Sequence, residues 1–160
     1  MKSNRHKLQI SGWFFFALLV VVLLPSCGTD DPERQAARDR EKILEYLIDN
    51  NLTAIEHETG IFYHIDTLGA GLFPTRNSTV LLNYTGTLLD GNEFDKGFER
   101  TFHLPSAILG FQYGVPLFNR GASGFIIVPS GLAYGSTGTM TIGPNTILKF
   151  RVEVIDFRNN

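Results

Sequence analysis

The sequence has one cysteine, no basic excess and no apolar run long enough to span a bilayer, and each lack argues against a class of protein. The lone cysteine cannot form an intrachain disulfide, and His57, His64 and His103 share no spacing typical of a metal site. A formal net charge of -2 offers no basic surface for neutralising phosphates, so a nucleic-acid partner is not expected. With 43% hydrophobic and 19% charged residues among 160, the composition is that of one ordinary globular domain with a tail.

The amino terminus has the pattern of a secretory signal peptide. Residues 1–11 carry basic side chains and no acidic one, and Trp13–Leu24 is wholly apolar. A helix of that run covers about 18 Å, which is too short for a hydrocarbon core of about 30 Å. The run ends in Leu24-Pro25-Ser26-Cys27, which resembles the bacterial lipobox, whose cysteine is lipidated. We therefore predict a lipoprotein signal peptide over residues 1–26. A lone cysteine after an ordinary signal peptide and an uncleaved anchor are the alternatives.

A lipidated Cys27 predicts a domain anchored to a membrane of the cell envelope and facing the periplasm, with the choice of inner or outer membrane open. Residues 27–52 would then form the lipidated tether and an N-terminal helix. The helix is expected from Glu33 to Asn50, because apolar side chains recur there at helical spacing: Ala36, Ala37, Ile43, Leu44, Leu47 and Ile48. Asp31-Pro32 supplies a cap and a first turn. The helix either packs against the domain or acts as a spacer, and dimerisation is the alternative.

Beyond Leu52 the apolar pattern changes to the period of two that is typical of strands. Strands are expected over three segments and at the carboxyl end: Ile61–Asp66, Ser78–Leu88, Ser123–Val128 and the alternating Leu148, Phe150, Val152 and Val154. An Asp90-Gly91 turn follows the second strand, and Leu109–Leu117 is expected to form a short helix closed by Pro116. The predicted fold class is α+β, an antiparallel sheet with little helix.

Three motifs carry the functional prediction. Asn83–Asp95 (NYTGTLLDGNEFD), Ile127–Gly135 (IVPSGLAYG) and Gly143–Val154 (GPNTILKFRVEV) resemble, in order and spacing, the motifs of FKBP-type peptidyl-prolyl cis-trans isomerases. The resemblance covers about Val80 to Phe157. It implies a twisted antiparallel β-sheet wrapped around a short helix, and we assign this domain to residues 53–160.

The resemblance also implies a pocket for proline. Its apolar walls and floor match four aromatic residues: Tyr84, Phe94, Phe111 and Phe150. Phe102 matches an aromatic near the rim, and Ile108 matches a lining residue whose backbone N–H is a donor. Ile142 matches the flap beside the pocket.

Two polar side chains complete this predicted site. Asp95 matches the carboxylate that meets the substrate backbone or orients neighbouring groups, and Tyr134 matches the phenol that donates to a substrate carbonyl. Together with Phe94 they are the residues that we expect to be catalytic. The resemblance implies a reaction that needs no covalent intermediate, no metal and no cofactor.

The chemistry of prolyl isomerisation explains why such residues are needed. An Xaa–Pro bond faces a rotational barrier of about 18–20 kcal/mol. Because the planar amide is more polar than the twisted one, a dry aromatic pocket favours the twisted state while fixed donors hold the peptide in register. The sequence therefore predicts a peptidyl-prolyl isomerase that acts on Xaa-Pro segments of unfolded or envelope proteins and binds the family's macrolide inhibitors. The alternatives are a non-catalytic module or holdase for proline segments, and a component of a motility or secretion machine.

Two departures from the family pattern qualify this prediction. Phe111 stands where the family usually has a tryptophan, so the fit to proline and the activity are expected to be lower. The segment from Asp95 to Phe102 is interpreted as a loop shorter than usual, which leaves open whether Arg100 is a partner of Asp95.

Overall fold

The computed structural model describes residues 31–159. The predicted signal peptide and Cys27 lie outside the described residues. Within residues 31–159 no helix is long and apolar enough to cross a membrane.

The first helix, α1, spans Pro32–Asp49, within one residue of the prediction at either end. Asp31 caps its start, because one carboxylate oxygen accepts a 3.1 Å hydrogen bond from the Glu33 N–H. Pro32 occupies the first turn, where no N–H is required. At the other end the side-chain amide of Asn50 donates to a carbonyl of the last turn at 2.8 Å, which satisfies a group that the helix leaves unpaired.

The strands form an antiparallel sheet, as the sequence predicted. In chain order they are β1 Ile55–Glu56, β2 Phe62–Thr67, β3 Thr79–Leu88, β4 Glu93–His103, β5 Ser123–Val128 and β6 Leu148–Arg158. Their order across the sheet is β1-β2-β5-β6-β3-β4, and every neighbouring pair is antiparallel. The predicted strands at 61–66, 78–88 and 123–128 are confirmed within one residue, whereas β1 and β4 were not predicted.

Strand β4 corrects the interpretation of Asp95 to Phe102 as a short loop. These residues belong to a strand that pairs with β3 along its whole length, with two shifts in register that mark bulges. At the second bulge along β4, Glu99 has a φ of +48°, and its N–H donates to the Asn83 side chain at 2.8 Å. The bulges interrupt the alternation of apolar and polar side chains, and this interruption hid the strand from a search for period two.

The chain between β4 and β5 forms the short helix α2, Leu109–Gly114, with one-turn 3-10 helices at Leu104–Ser106 and Val115–Leu117 on either side. The prediction had one helix reaching Leu117. The α-helix ends earlier because Pro116 has no N–H to bond to the carbonyl four residues before it.

Strand β5 separates two cores, because both of its faces are buried. Ile126 and Val128 belong to the core under α2, whereas Phe125 and Ile127 belong to the core under α1. This double burial explains why the last four residues of β5, 125–128, are all apolar. Strand β6 alternates buried and exposed side chains, as predicted.

The packing of α1 against the domain, one of the two predicted roles, is confirmed. Ile43 is wholly buried and Leu47 is 7% exposed, and both contact the sheet. Ile48 is 75% exposed, so its predicted place on the packed stripe is wrong, and the alanines of the first two turns are exposed as well. In this half of the helix the buried residue is Asp39, a polar side chain that the apolar pattern did not select.

Candidate active site

A cavity of about 450 Å³ opens between the sheet and α2. Eight of the nine predicted pocket residues line it: Tyr84, Phe94, Asp95, Phe102, Ile108, Phe111, Tyr134 and Phe150. Four further residues line it that no motif singled out: Thr101, His103, Ser106 and Ala107. Thr101 and His103 flank Phe102 on β4, so a prediction of that strand would have indicated them as candidate lining residues. The structure thus brings the residues of three separate motifs to one place.

The ninth predicted residue, Ile142, lies in the main core rather than on the cavity wall. Its side chain is 4% exposed, and it is not among the residues that line the cavity. Its N–H donates to the Thr139 hydroxyl at 3.0 Å, and its carbonyl accepts from the Thr139 N–H at 2.7 Å. This tight turn directs the segment inward and accounts for the burial of Ile142.

Phe111 lies at the centre of a group of aromatic rings. Its ring centroid is 4.8 Å from that of Phe150, 5.5 Å from that of Phe102 and 6.0 Å from that of Tyr84. Phe94 packs edge-on against Phe150 at 5.6 Å. Each such pair contributes about 0.5–1.5 kcal/mol beyond simple burial. Because Phe111 and Phe150 are only 3% and 4% exposed, the floor of the cavity is formed before any ligand arrives.

The pairing of three strands places these side chains on one face of the sheet. Gly86 on β3 is opposite both Asp95 on β4 and Phe150 on β6. A Cβ atom at Gly86 would lie 2.7 Å from one ring atom of Phe94 and 2.9 Å from one of Phe150, so only glycine admits both rings. The bulge beside Gly86 lets the adjacent residues Phe94 and Asp95 both reach the cavity, which regular alternation would forbid.

Asp95 is held by a hydrogen bond from Tyr84. The Tyr84 hydroxyl donates to one carboxylate oxygen at 2.8 Å. Burial of the phenol, reinforced by the carboxylate, raises the pKa of Tyr84 to about 12, so this donor keeps its proton at physiological pH. In the described part of the chain the Asp95 carboxylate makes no other hydrogen bond and no ion pair, Arg100 included. Its second oxygen is therefore available to a ligand.

Two hydrogen-bond donors at the cavity are also available to a ligand. The Tyr134 side chain is 38% exposed, and its hydroxyl makes no hydrogen bond within residues 31–159. Ile108 caps α2, where its carbonyl accepts from the N–H groups of Phe111 and Gln112 at 2.9 and 3.1 Å. The N–H of Ile108 makes no hydrogen bond of its own within the same range.

The chemistry of the cavity is apolar contact with a few fixed polar groups. No three His, Cys, Asp or Glu side chains of residues 31–159 are grouped so that they could hold a metal ion. An apolar cup of this volume suits a small saturated ring, and the polar groups at Asp95, Ile108 and Tyr134 suit the amide groups on either side of that ring. The arrangement offers no nucleophile beside a base, so it favours a non-covalent reaction or binding.

Comparison with known proteins adds independent findings. Residues 71–155 match the family described as FKBP-type peptidyl-prolyl cis-trans isomerase. The chain is 38% identical over 104 residues to FKBP-type peptidyl-prolyl cis-trans isomerase FkpA of Escherichia coli (strain K12), a match that covers 62% of this chain and 38% of that protein. It is 37% identical over 106 residues to the outer membrane protein MIP of Legionella longbeachae, covering 62% of this chain and 45% of that protein.

A solved structure agrees with these matches. The crystal structure of a peptidyl-prolyl cis-trans isomerase from Pseudomonas syringae pv. tomato is similar with a TM-score of 0.69 and 30% identity, and the similarity covers 82% of this chain and 100% of that one. The chain spans less than half of the length of the two curated relatives, because only part of each is matched.

Proposed function

The chain belongs to the family of FKBP-type peptidyl-prolyl cis-trans isomerases, and from this premise we propose that it catalyses rotation about Xaa-Pro peptide bonds in unfolded segments of proteins. The observation that carries the proposal is the cavity in which aromatic rings surround Phe111 and the Tyr84 hydroxyl fixes the Asp95 carboxylate. The domain is assigned to residues 53–160, with α1 packed against it.

The proposed mechanism lowers the barrier without a covalent step. The proline ring enters the aromatic cup, and its amide leaves water for a less polar environment. Planar amides lose more solvation in this transfer than twisted amides do, so the transition state is favoured over the ground state. A reduction of the barrier by about 7 kcal/mol would accelerate rotation by about five powers of ten.

The polar groups have separate roles in this proposal. The Tyr134 hydroxyl and the Ile108 N–H donate to carbonyl groups of the substrate and hold the peptide while the bond turns. Asp95 accepts from, or orients, polar groups at the twisting amide, and its own orientation comes from Tyr84. Phe94 closes one side of the cup against Phe150.

The proposal is tested by isomerisation of Ala-Xaa-Pro-Phe peptides with the full-length chain in mild detergent. We expect acceleration at substoichiometric protein, and we expect Asp95→Ala to lower kcat/KM by about tenfold, since a hydrogen bond to a charged group is worth about 1.5–3 kcal/mol. Glu93→Ala is the matched control: this carboxylate lies on the same strand, and its one ion pair within residues 31–159 is with Lys96, at 2.9 Å and in solvent. Equal activities of the two variants would contradict the assigned role of Asp95.

A second function, binding of proline segments without catalysis, is favoured by Phe111. A phenyl ring fills less of the floor than the indole usual in the family. We expect Phe111→Trp to keep or raise kcat/KM, because the ring borders a cavity of about 450 Å³ that can take the added volume. If folded wild-type protein gives no acceleration while Phe111→Trp does, the pocket serves binding. A holdase would also act only near one-to-one stoichiometry, and macrolide binding would persist in either case.

Anchoring in the cell envelope is part of the same proposal. It is supported by the lipobox-like end of the apolar run and by the relative named as an outer membrane protein. Cys27→Ser should release the protein from the membrane fraction, whereas Ser26→Ala should leave it there, because only the cysteine carries the lipid. Retention of Cys27→Ser in membranes would favour an uncleaved anchor.

A further inference from the structure

Asp39 is a buried carboxylate on α1, far along the chain from the catalytic cavity. Its exposure is 0%, although it takes part in no ion pair within residues 31–159. One carboxylate oxygen accepts from the Gln35 side chain at 2.6 Å. The other accepts from both the N–H and the hydroxyl of Ser130, at 2.8 and 2.6 Å. A buried carboxylate is costly unless it is hydrogen-bonded in this way, so both oxygens are committed to these contacts.

Ser130 connects this carboxylate to the segment that carries Tyr134. Ser130 is itself wholly buried and begins a one-turn 3-10 helix, Ser130–Leu132. Its carbonyl accepts from the N–H groups of Ala133 and Gly135, at 3.0 and 2.8 Å. These two residues flank Tyr134 on either side. Ser130 therefore helps to set where the Tyr134 backbone lies, together with the N–H groups of Gly138 and Asn145, which donate to the carbonyls of Tyr134 and Gly135 at 3.1 and 2.8 Å.

The segment 129–136 has open space on the side of α1. There it borders a cavity of about 620 Å³ that α1 closes from the opposite side. A Cβ atom added at Gly131 or Gly135 would meet no other atom within 4 Å. On its other side Tyr134 borders the catalytic cavity. Leu132 and Ala133 pack against the main core, and on the side of α1 the hydrogen bonds from Ser130 to Asp39 attach the segment to the helix.

We propose that Asp39 is a positioning residue for catalysis, which holds Ser130 and through it the backbone that carries the Tyr134 donor. In this view α1 completes the active site, and it is more than a spacer between the membrane and the domain. Tyr134 must meet the substrate carbonyl within hydrogen-bond distance, and a displacement of about 1 Å can cost up to about a hundredfold in rate. The catalytic part of this proposal depends on the isomerase function proposed above, whereas the structural part does not.

The test compares two variants of Asp39 that differ in one property. Asp39→Leu keeps the approximate size and removes every acceptor, whereas Asp39→Asn keeps one oxygen that can accept both bonds from Ser130. We expect Asp39→Leu to lower kcat/KM by about tenfold, and Asp39→Asn to restore most of it. By amide hydrogen exchange, the N–H groups of Ala133 and Gly135 should exchange at least about tenfold faster in Asp39→Leu.

Ile43→Ala is the matched control. Ile43 is also wholly buried, one turn along the same helix, but it packs in the apolar core under α1, and its side chain offers no hydrogen-bond acceptor to Ser130. Its substitution should destabilise the fold without changing kcat/KM or selectively accelerating exchange at Ala133 and Gly135. If Asp39→Leu proves too unstable to purify, Ser130→Ala removes one of the two bonds and should accelerate that exchange by about fivefold.

The outcomes separate this proposal from the function on which it partly depends. Faster exchange at Ala133 and Gly135 with rescue by Asp39→Asn supports the positioning role even if the wild type is not an isomerase. The positioning role would be overturned if amide hydrogen exchange at these two residues were no faster in Asp39→Leu or Ser130→Ala than in Ile43→Ala. An active wild type with normal kcat/KM in folded Asp39→Leu would overturn it as well, and would leave the isomerase function intact.

Discussion

The two faces of the sheet differ in how completely their cores are closed. Under the second half of α1, Ile43 and Ile127 are wholly buried, and apolar side chains fill the space between helix and sheet. The cavity of about 620 Å³ lies beside the first half of the helix, outside this core. Under α2, Phe111 and Phe150 are nearly as buried, yet their rings meet edge-on at 82° and border a cavity of about 450 Å³. One sheet thus supports a closed core and an open one.

This difference predicts that the effect of a mutation depends on the face it lies on. A change on the closed face should lower the free energy of unfolding and leave the activity of the folded protein unchanged. A change on the open face should alter kcat/KM, with a smaller cost in stability. Strand β5 contributes side chains to both cores, so the contrast can be tested within one sheet.

The largest effect on stability is expected from Ile43→Ala on the closed face. Removing this wholly buried side chain should lower the free energy of unfolding by about 2–5 kcal/mol, through lost burial and the cavity left behind. Urea denaturation measures this change, and the peptide assay should give a wild-type kcat/KM under conditions where the variant is folded. An unchanged unfolding midpoint would contradict the packing of α1.

A smaller loss of stability with a larger loss of activity is expected from Gly86→Ala on the open face. The added methyl group would lie 2.7 Å from Phe94 and 2.9 Å from Phe150, so at least one ring must move. Such overpacking typically costs about 1–3 kcal/mol, and the displaced ring would narrow the cavity. Gly131→Ala is the control, because the space around that residue is open. Wild-type kcat/KM in Gly86→Ala would show that the two rings are not needed where they lie.

The smallest effect is expected from Tyr84→Phe, and it should depend on pH. Losing the hydrogen bond to Asp95 should cost about 1 kcal/mol at neutral pH. Because the folded protein raises the pKa of Tyr84 from 10.0 to about 12, the unfolded chain loses this proton first as the pH rises. The stability advantage of the wild type over Tyr84→Phe should therefore be constant below pH 10 and shrink between pH 10 and 12. An advantage that grows across this range would contradict the burial of the phenol.

Regular periodicity made most of the fold predictable from the sequence. The end signals at Asp31-Pro32 and Asn50 place α1 within one residue. Strand β5 was predicted with its limits unchanged because residues 125–128 form a short apolar run. The motifs around Tyr84, Tyr134 and Phe150 brought together a set of residues that does line one cavity. Local patterns and motif spacing sufficed wherever the backbone was regular.

The features that were missed depend on irregular backbone or on distant contacts. The bulge around Glu99 on β4 places Asp95 and Phe102 on one face, although seven residues apart they would face opposite sides of a regular strand. The apolar pattern of the helix did not select Asp39, and its partner Ser130 is distant in the chain. No periodicity encodes either arrangement, since each requires knowledge of the pairing or packing of another segment.

The most direct test of the central claim, that the aromatic cavity lowers the barrier of an Xaa-Pro bond, is exchange NMR of an Ala-Leu-Pro-Phe peptide. The full-length protein in detergent would be present at about one-hundredth of the peptide concentration, and uncatalysed exchange takes tens to hundreds of seconds. The account predicts cis–trans exchange cross-peaks at mixing times below about one second, and predicts that Gly86→Ala weakens them. Absence of these cross-peaks with folded wild-type protein would contradict it.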